Sequence, residues 1–304
     1  MSTEARIVTA SNGQLVWPSK FRVLRVDVSA ATAAQARHCI VTAAQSRTRA
    51  VVSAFSVHAL MEAASSDELC SLVNQFDMIV PDGQPVRWAL NWQHGTRLSS
   101  NVRGADLMWQ LCEDAAHNGL TIYLYGGTKS TLTALVARLR SAMPALVIAG
   151  AESPPFRPLS SQEDAELIAR VNSSGAHLMF IGLGAPKQDY FVAAHSGRIH
   201  AVQLCVGAAF DFHAGCKREA PRWMQRRGLE WVFRLFQEPR RLWRRYLVTN
   251  TFFIGRLAAQ AVSTRATGMF GGTPLIMSEK VARGQRASPA GRAAENTSLK
   301  GRRP

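Results

Sequence analysis

A carboxylate set at the end of an apolar run is the first feature of this chain that could do chemistry. The stretch from Met78 to Trp88, MIVPDGQPVRW, reads as a short strand that stops at a Pro-Asp-Gly turn and hands over to a helix. Where strands and helices alternate, ligands sit in the crevice beyond the carboxyl ends of the strands, so Asp82 stands where a proton acceptor is useful. Asp followed by Gly is also a common turn former, and for Asp82 taken alone that alternative stands.

Three further stretches fall just after apparent strands. Gly126 and Gly127, followed by Thr128, open a helix and leave backbone N–H groups at its positive end, which suits a diphosphate; many strand-to-helix turns use glycine with no ligand at all. The pattern is neither GxGxxG nor a Walker A loop, which counts against hydride transfer and nucleotide hydrolysis. In GLGAPKQD, from Gly182 to Asp189, Pro186 fits a first helical turn, and Lys187 and Gln188 set a cation and an amide beside it. A lysine there is usually solvated, but the preceding glycines would let a ligand approach the backbone. Asp211, soon after Gly207, is either a second polar anchor or a helix N-cap or partner for a nearby Arg.

These residues need elements to position them. Strands are expected at Phe21–Val28, Ala50–Phe55, the run before Asp82, Thr121–Tyr125, Leu146–Ala149, His177–Ile181 and Ala201–Val206. Helices are expected at Ala31–Ser46, Val57–Asn74, around Trp88–Trp92, at Ala105–Asn118 with Gly119 as C-cap, from Gly126 to Ala142, at Gln162–Asn172 and after Pro186. Alternation of this kind implies an α/β, Rossmann-like fold, with a mainly parallel sheet and helices on both faces. Asp82, Gly126 and Gly127, the 182–188 turn and Asp211 would then converge on one edge of the sheet.

Past residue 217 the character changes. Lys217, Arg218, Arg222, Arg226, Arg227, Arg234 and further arginine pairs alternate with Trp223, Trp231, Phe233, Phe236, Trp243 and Tyr246. Such a run could bind nucleic acid by phosphate contacts and stacking, lie on an anionic membrane, or simply complete the core beneath a solvated face. Trp231, Leu235, Leu242, Tyr246 and Phe253 recur at near-helical spacing opposite arginine pairs, which favours the membrane surface. The chain divides into an N-terminal extension at 1–20, an α/β core at 21–216, a basic amphipathic helical appendage at 217–262 expected to associate with membrane, and a tail at 263–304 expected to be disordered.

Composition bounds the rest. The 304 residues, 47% of them hydrophobic, can fill a sizeable core, and Lys+Arg 36 against Asp+Glu 21 gives a formal charge of +15. Cys39, Cys70, Cys112, Cys205 and Cys216 show no CxxC spacing, consistent with a reducing cytoplasm. The first eighteen residues lack the form of a secretory signal. No stretch holds about 18 uninterrupted apolar residues; the nearest, Tyr246 to Val262, is broken by Asn250 and Arg256.

Taken in order, PDGQPVRW, NVRGADL, YLYGG, PPFRPLS, IGLGAPKQD, VGAAFDFHAG and EAPRWMQRRGLEWVFRLFQEPRRLWRRY resemble the WecG/TagA/CpsF family of glycosyltransferases over roughly Phe21 to Phe253. The resemblance implies inverting transfer of a hexosyl or N-acetylhexosaminyl group. The donor would be a nucleotide diphosphate sugar, typically UDP-linked, and the acceptor a polyprenyl diphosphate-linked saccharide in exopolysaccharide or other cell-surface glycan synthesis. It implies no metal and no cofactor, and a peripheral site on the cytoplasmic face of the membrane. By the same resemblance Asp82 is the general base, Gln188 binds substrate, and the basic C-terminal segment completes the site. Ser53 matches a position where the family carries a hydroxyl. Asn101 stands where many members have an arginine on the donor phosphates, and Arg103 could supply that charge instead. Ser56 replaces a frequent Asn, and Asp189 a frequent Glu.

An inverting transfer fits these residues. One carboxylate takes the proton of the acceptor hydroxyl as the bond to C1 forms. The leaving diphosphate needs positive charge and aimed N–H groups, for which Gly126, Gly127, Lys187, Arg218, Arg222 and Arg226 are the candidates. The rival readings are a nucleic-acid-binding α/β protein gripping its ligand with the basic region, and a sugar-nucleotide modifying enzyme. The first would leave the strand-end motifs without a use, so no nucleic-acid partner is expected; the missing dinucleotide fingerprint counts against the second. The identity of the sugar and acceptor and the oligomeric state, homo-oligomer or monomer, are open at this level.

Overall fold

The computed structural model describes residues 15–266, without the side chains of residues 241, 244–248 and 261–266. The expected extension before residue 15, and the tail expected to be disordered beyond Ala266, lie outside the described residues.

The chain begins with β1 (Lys20–Val23) and β2 (Val26–Ser29), paired antiparallel. One strand was expected over Phe21–Val28; there are two, folded back at Leu24, whose φ is 57°. That tip has no glycine or asparagine to announce it, and distant groups hold it: Leu24 N–H donates to Gln260 Oε1 at 2.9 Å and Asn74 Nδ2 donates to the Arg25 carbonyl at 3.0 Å. There follow α1 (Ala33–Gln45), opened by a Thr32/Gln35 capping box, and β3 (Ala50–Phe55). The helix expected over Val57–Asn74 is two, α2 (Val57–Ser65) and α3 (Asp67–Val73), because Ser66 turns extended and caps α3 through the Leu69 N–H.

Next come β4 (Met78–Pro81), α4 (Gln84–His94), α5 (Gly104–Asn118) with Gly119 as its left-handed C-cap, and β5 (Thr121–Gly126). Then α6 (Lys129–Ala142), β6 (Val147–Glu152), α7 (Ser161–Ser173), β7 (Leu178–Gly182), α8 (Lys187–His195) and β8 (Val202–Cys205) complete the alternation. After α9 (Ala209–His213) the basic segment forms α10 (Arg222–Arg226), α11 (Glu230–Gln237) and α12 (Pro239–Ala266). Helix thus continues past the boundary expected at 262.

Strands β3 to β8 form one six-stranded sheet in the order β4-β3-β8-β7-β5-β6, parallel throughout. Side chains alternate between two cores. Val52, Val80, Leu124, Phe180 and Leu204 face α1, α5, α6 and α9, while Val51, Ile79, Tyr125, Ile181 and Cys205 face α2, α3, α4, α7 and α8. Both faces are covered, as runs of β-branched and aromatic residues require of a parallel sheet. Parallel strands all end on one side, and that common end carries the site.

Candidate active site

The strand tips touch one another. Gly126 has φ 131°, and a Cβ there would lie 2.6 Å from the Gly182 backbone, so only glycine lets the ends of β5 and β7 meet. The Gly127 N–H donates to the Gly182 carbonyl at 3.2 Å, and the Gly127 carbonyl accepts from Ser153 Oγ at 2.7 Å. That N–H, expected to serve a diphosphate, is occupied by the neighbouring strand end. Thr128 caps α6 by accepting from Thr131 N–H. At the other side Gly104, first residue of α5, fits between Ala54 and Val206: an added Cβ would lie 3.1 Å from one and 3.3 Å from the other. Gly207 N–H then donates to Gln188 Oε1 at 3.1 Å. The ends of β5 and β7 are thus in contact, as are the ends of β3 and β8 with α5 and α8, whereas Asp82, at the end of β4, has β3, β8 and β7 between it and Gly126 in the sheet order.

Asp82 follows β4 directly, its N–H bonded to the Phe55 carbonyl at 3.0 Å. The residue is half-buried, with its carboxyl deep among protein atoms. Burial, reinforced by the nearby Glu230 carboxylate, pushes its pKa up to about 6, while Arg103, Arg234 and the Gly104 N–H pull the other way. A carboxylate so placed is ionised at neutral pH yet basic enough to accept a proton.

Arg103 is buried, 8% exposed, and held by three carboxylates. Its Nε donates to Glu230 at 3.2 Å, its Nη1 to Asp106 at 2.8 Å, and its terminal nitrogens to Glu219 at 3.4 Å. Burial disfavours the guanidinium's charge, but Glu230, Asp106, Asp82 and Glu219 outweigh it and raise the pKa. The guanidinium expected on donor phosphates is thus committed to protein acids. Asn101 is half-buried in the loop ahead of it.

Ser53, expected to present a hydroxyl to ligand, is fully buried in β3 and donates to Asp189 Oδ1 at 2.9 Å. Asp189 is 1% exposed, and burial pushes its pKa up to about 6 against the pull of Ser53 and its own backbone N–H. Beside it Gln188 is 2% exposed, and Lys187 is exposed in the first turn of α8. The helix expected after Pro186 is α8, but Pro186, expected in its first turn, is the N-cap and stands just ahead of it. Asp211 pairs with Lys217 Nζ at 2.9 Å, a basic partner as in the alternative reading, though a lysine where an arginine was expected.

The basic segment lies over this end of the sheet. Gln84 Nε2 donates to the Arg226 carbonyl at 3.2 Å, and Gly228 packs so closely that a Cβ would lie 2.9 Å from Trp88. Arg218, Arg222 and Arg226 extend exposed side chains. Leu242 and Phe253, expected on a greasy outer face, are buried at 5% and 3%, and Phe253 belongs to the core. Helical spacing tells which residues share a face, not which face meets the protein. The exposed apolar side chains here are Trp223, Trp231, Phe236, Trp243, Phe252 and Ile254; the Tyr246 side chain lies outside the described residues. No described helix is long and apolar enough to cross a membrane.

Sequence reasoning missed Glu219 and Glu230, and named Arg234 only as one of the segment's basic residues; Glu230 and Arg234 pair. The last two are four apart on α11, joined at 2.7 Å, and that spacing was the available signal. A surface hollow at the β1–β2 tip, lined by Arg22, Arg25 and Asp67, is remote from this chemistry, and its arginines are paired with Asp27 and Asp67. Among the described residues, no three His, Cys, Asp or Glu side chains gather as a metal site would require. Residues 21–267 match the model of the Glycosyl transferase WecG/TagA/CpsF family, most of the chain and all of the elements that build this site, and the protein belongs to that family.

Proposed function

We propose that this glycosyltransferase moves a hexosyl or N-acetylhexosaminyl group, with inversion, from a UDP-linked donor to a polyprenyl diphosphate-linked saccharide, with Asp82 as general base. The reading rests above all on the place of the Asp82 carboxyl, directly after β4 and beneath the basic segment that bonds to Gln84, where burial pushes its pKa up to about 6. As the acceptor hydroxyl attacks C1, Asp82 takes its proton; the C1–O bond to the diphosphate breaks and the nucleoside diphosphate leaves with that electron pair. Lys187 and Arg218, Arg222 and Arg226, all exposed, supply cationic partners for the phosphates; Gln188, buried with its Oε1 accepting from the Gly207 N–H, shapes the site from beneath. Arg103 serves the site from behind, joining core to covering segment.

The exposed Trp223, Phe236 and Trp243 beside these arginines suit an anionic membrane surface, where a lipid-linked acceptor resides. On this reading the enzyme works as a peripheral protein at the cytoplasmic face, in exopolysaccharide or related glycan synthesis. The test is a panel of nucleotide sugars offered with a polyprenyl diphosphate saccharide, following nucleoside diphosphate release by native protein and Asp82→Asn. Turnover by the native chain and its loss in the variant, with donor binding kept, is the expected outcome. Near-native turnover by Asp82→Asn removes the carboxylate from the mechanism.

A further inference from the structure

The turn bearing Arg103 is tied to the strand end bearing Asp82, the Val102 N–H donating to the Pro81 carbonyl at 2.9 Å. Among the described residues, Arg103 and Arg234 act on the charge of Asp82, and Glu230 accepts a hydrogen bond from each of them. Its Oε2 accepts from Arg103 Nε at 3.2 Å and its Oε1 from Arg234 Nη2 at 2.7 Å. Glu219 and Asp106 hold the remaining nitrogens of Arg103, and the Arg234 guanidinium lies 4.9 Å from the centre of the Phe212 ring. A carboxylate in direct contact with a buried guanidinium is a weak base, because the cation stabilises its ionised form.

We propose that Glu230 is a positioning residue for sugar transfer: holding Arg103 with one oxygen and Arg234 with the other, it keeps both cations off Asp82, so the base is complete only when α11 is seated on the core. The inference rests on the reading of Asp82 as the base. It also gives the covering segment a task distinct from carrying positive charge, since the residue that matters is one of its acids. Among the described residues, the charged groups acting on Asp82 are Glu230 and Arg234 from α11 and Arg103 from the turn before α5, with the Gly104 N–H as the uncharged donor. Glu230 keeps its own charge: burial opposes it, but Arg234 and Arg103 more than compensate and lower its pKa.

The test is a pH titration of full-length protein labelled at its aspartate carboxyl carbons, read by carbon NMR, with the Asp82 signal identified by its absence in Asp82→Asn. In Glu230→Gln the Asp82 midpoint is expected to fall by about one unit, a tenfold change in its proton dissociation constant, and Glu230→Asp is expected to restore it. Arg234→Gln is expected to move the midpoint upward. A general loosening of the site would shift both variants the same way, so opposite signs support the proposal. An unchanged midpoint in folded Glu230→Gln, or shifts of equal sign, overturns it. Should Glu230→Gln not fold, Glu230→Ala takes its place, with the same fall expected and an unchanged midpoint overturning the proposal. The titration needs no substrate. Turnover by Asp82→Asn would thus sink the base assignment while leaving the measured coupling between Glu230 and Asp82 intact.

Discussion

Asp189→Asn should change the stability of this protein in a way that depends on pH, with a sign and size set by the site. Asp189 is 1% exposed, and its pKa rises from 3.8 to about 6, chiefly because burial penalises the carboxylate. A group whose folded pKa exceeds its unfolded one contributes full stability below the unfolded value and loses it as pH rises through the folded value. A shift of about two units corresponds to about 3 kcal/mol, nearly all present below pH 3.8 and absent above about pH 7. Between pH 8 and pH 5 the same two values give about 1.4 kcal/mol. Asparagine does not titrate, and its Oδ1 can still accept from Ser53 Oγ, so the variant should lack this increment. Its buried amide N–H groups cost about 1–3 kcal/mol at every pH, which cancels when the pH values are compared. Urea unfolding of both proteins at pH 5 and pH 8, followed by tryptophan fluorescence, gives the double difference, in which the titration of Asp82 and of surface carboxylates also cancels. Relative to the native chain, the variant should gain about 1.4 kcal/mol on going from pH 5 to pH 8. A double difference near zero would mean that Asp189 is not a desolvated carboxyl, and the account of Ser53 as its buried partner would fall with it.

The other expectations are more direct. Asp82→Asn should lower turnover by roughly 10²–10⁴-fold. In the native enzyme, kcat/KM should fall about tenfold between pH 7 and pH 5, as a base of pKa about 6 protonates; a flat acid limb would contradict the assignment. Gly126→Ala should destabilise the fold, because its Cβ would meet the Gly182 backbone at 2.6 Å and φ is 131°, and a thermal midpoint within a degree of native would show that the strand tips can separate freely. Phe236→Ser combined with Trp243→Ser should weaken sedimentation with anionic vesicles by at least tenfold, since these side chains are 82% and 51% exposed. Unaltered partition would place the membrane contact elsewhere.

The parallel sheet was legible because near-continuous apolar runs such as those at 50–55 and 121–125 present apolar residues to both sides, and because turns with glycine or Pro-Asp-Gly mark the strand ends. The position of Asp82 followed from that pattern alone. The β1–β2 tip at Leu24 was not legible, because what bends it is Gln260 and Asn74, far away in the chain. The break at Ser66 had a local signal, a serine followed by Asp67 and Glu68 in the first turn of α3, overlooked within a long helical periodicity. Ser53 could be placed in a strand but not oriented toward Asp189, since the partner comes from another crossover. Leu242 and Phe253 were assigned to the right helix but to the wrong side of it, because amphipathic spacing is silent about which neighbour covers the apolar stripe.

The charge of the covering segment explains how a basic region can sit against the Asp82 carboxyl without lowering its proton affinity. From Lys217 to Val262 arginines and lysine far outnumber the acids Glu219, Glu230 and Glu238. If cations merely crowded the strand ends, they would hold Asp82 ionised and strip it of basicity. The acids prevent this by taking the inward contacts: Glu219 and Glu230 bind Arg103, Glu230 also binds Arg234, and Glu238 lies 3.8 Å from Lys217. Arg218, Arg222, Arg226 and Arg227 meanwhile remain exposed. One short stretch therefore presents positive charge outward, where phosphates or anionic lipid can meet it, and negative charge inward, where it favours proton uptake by Asp82. Covering the site also desolvates that carboxyl, the largest single cause of its raised pKa. Burial and Glu230 act in the same direction, and Arg103, Arg234 and the Gly104 N–H oppose them only in part, so the basicity of Asp82 is a property of the assembled interface rather than of the strand-end turn that bears it.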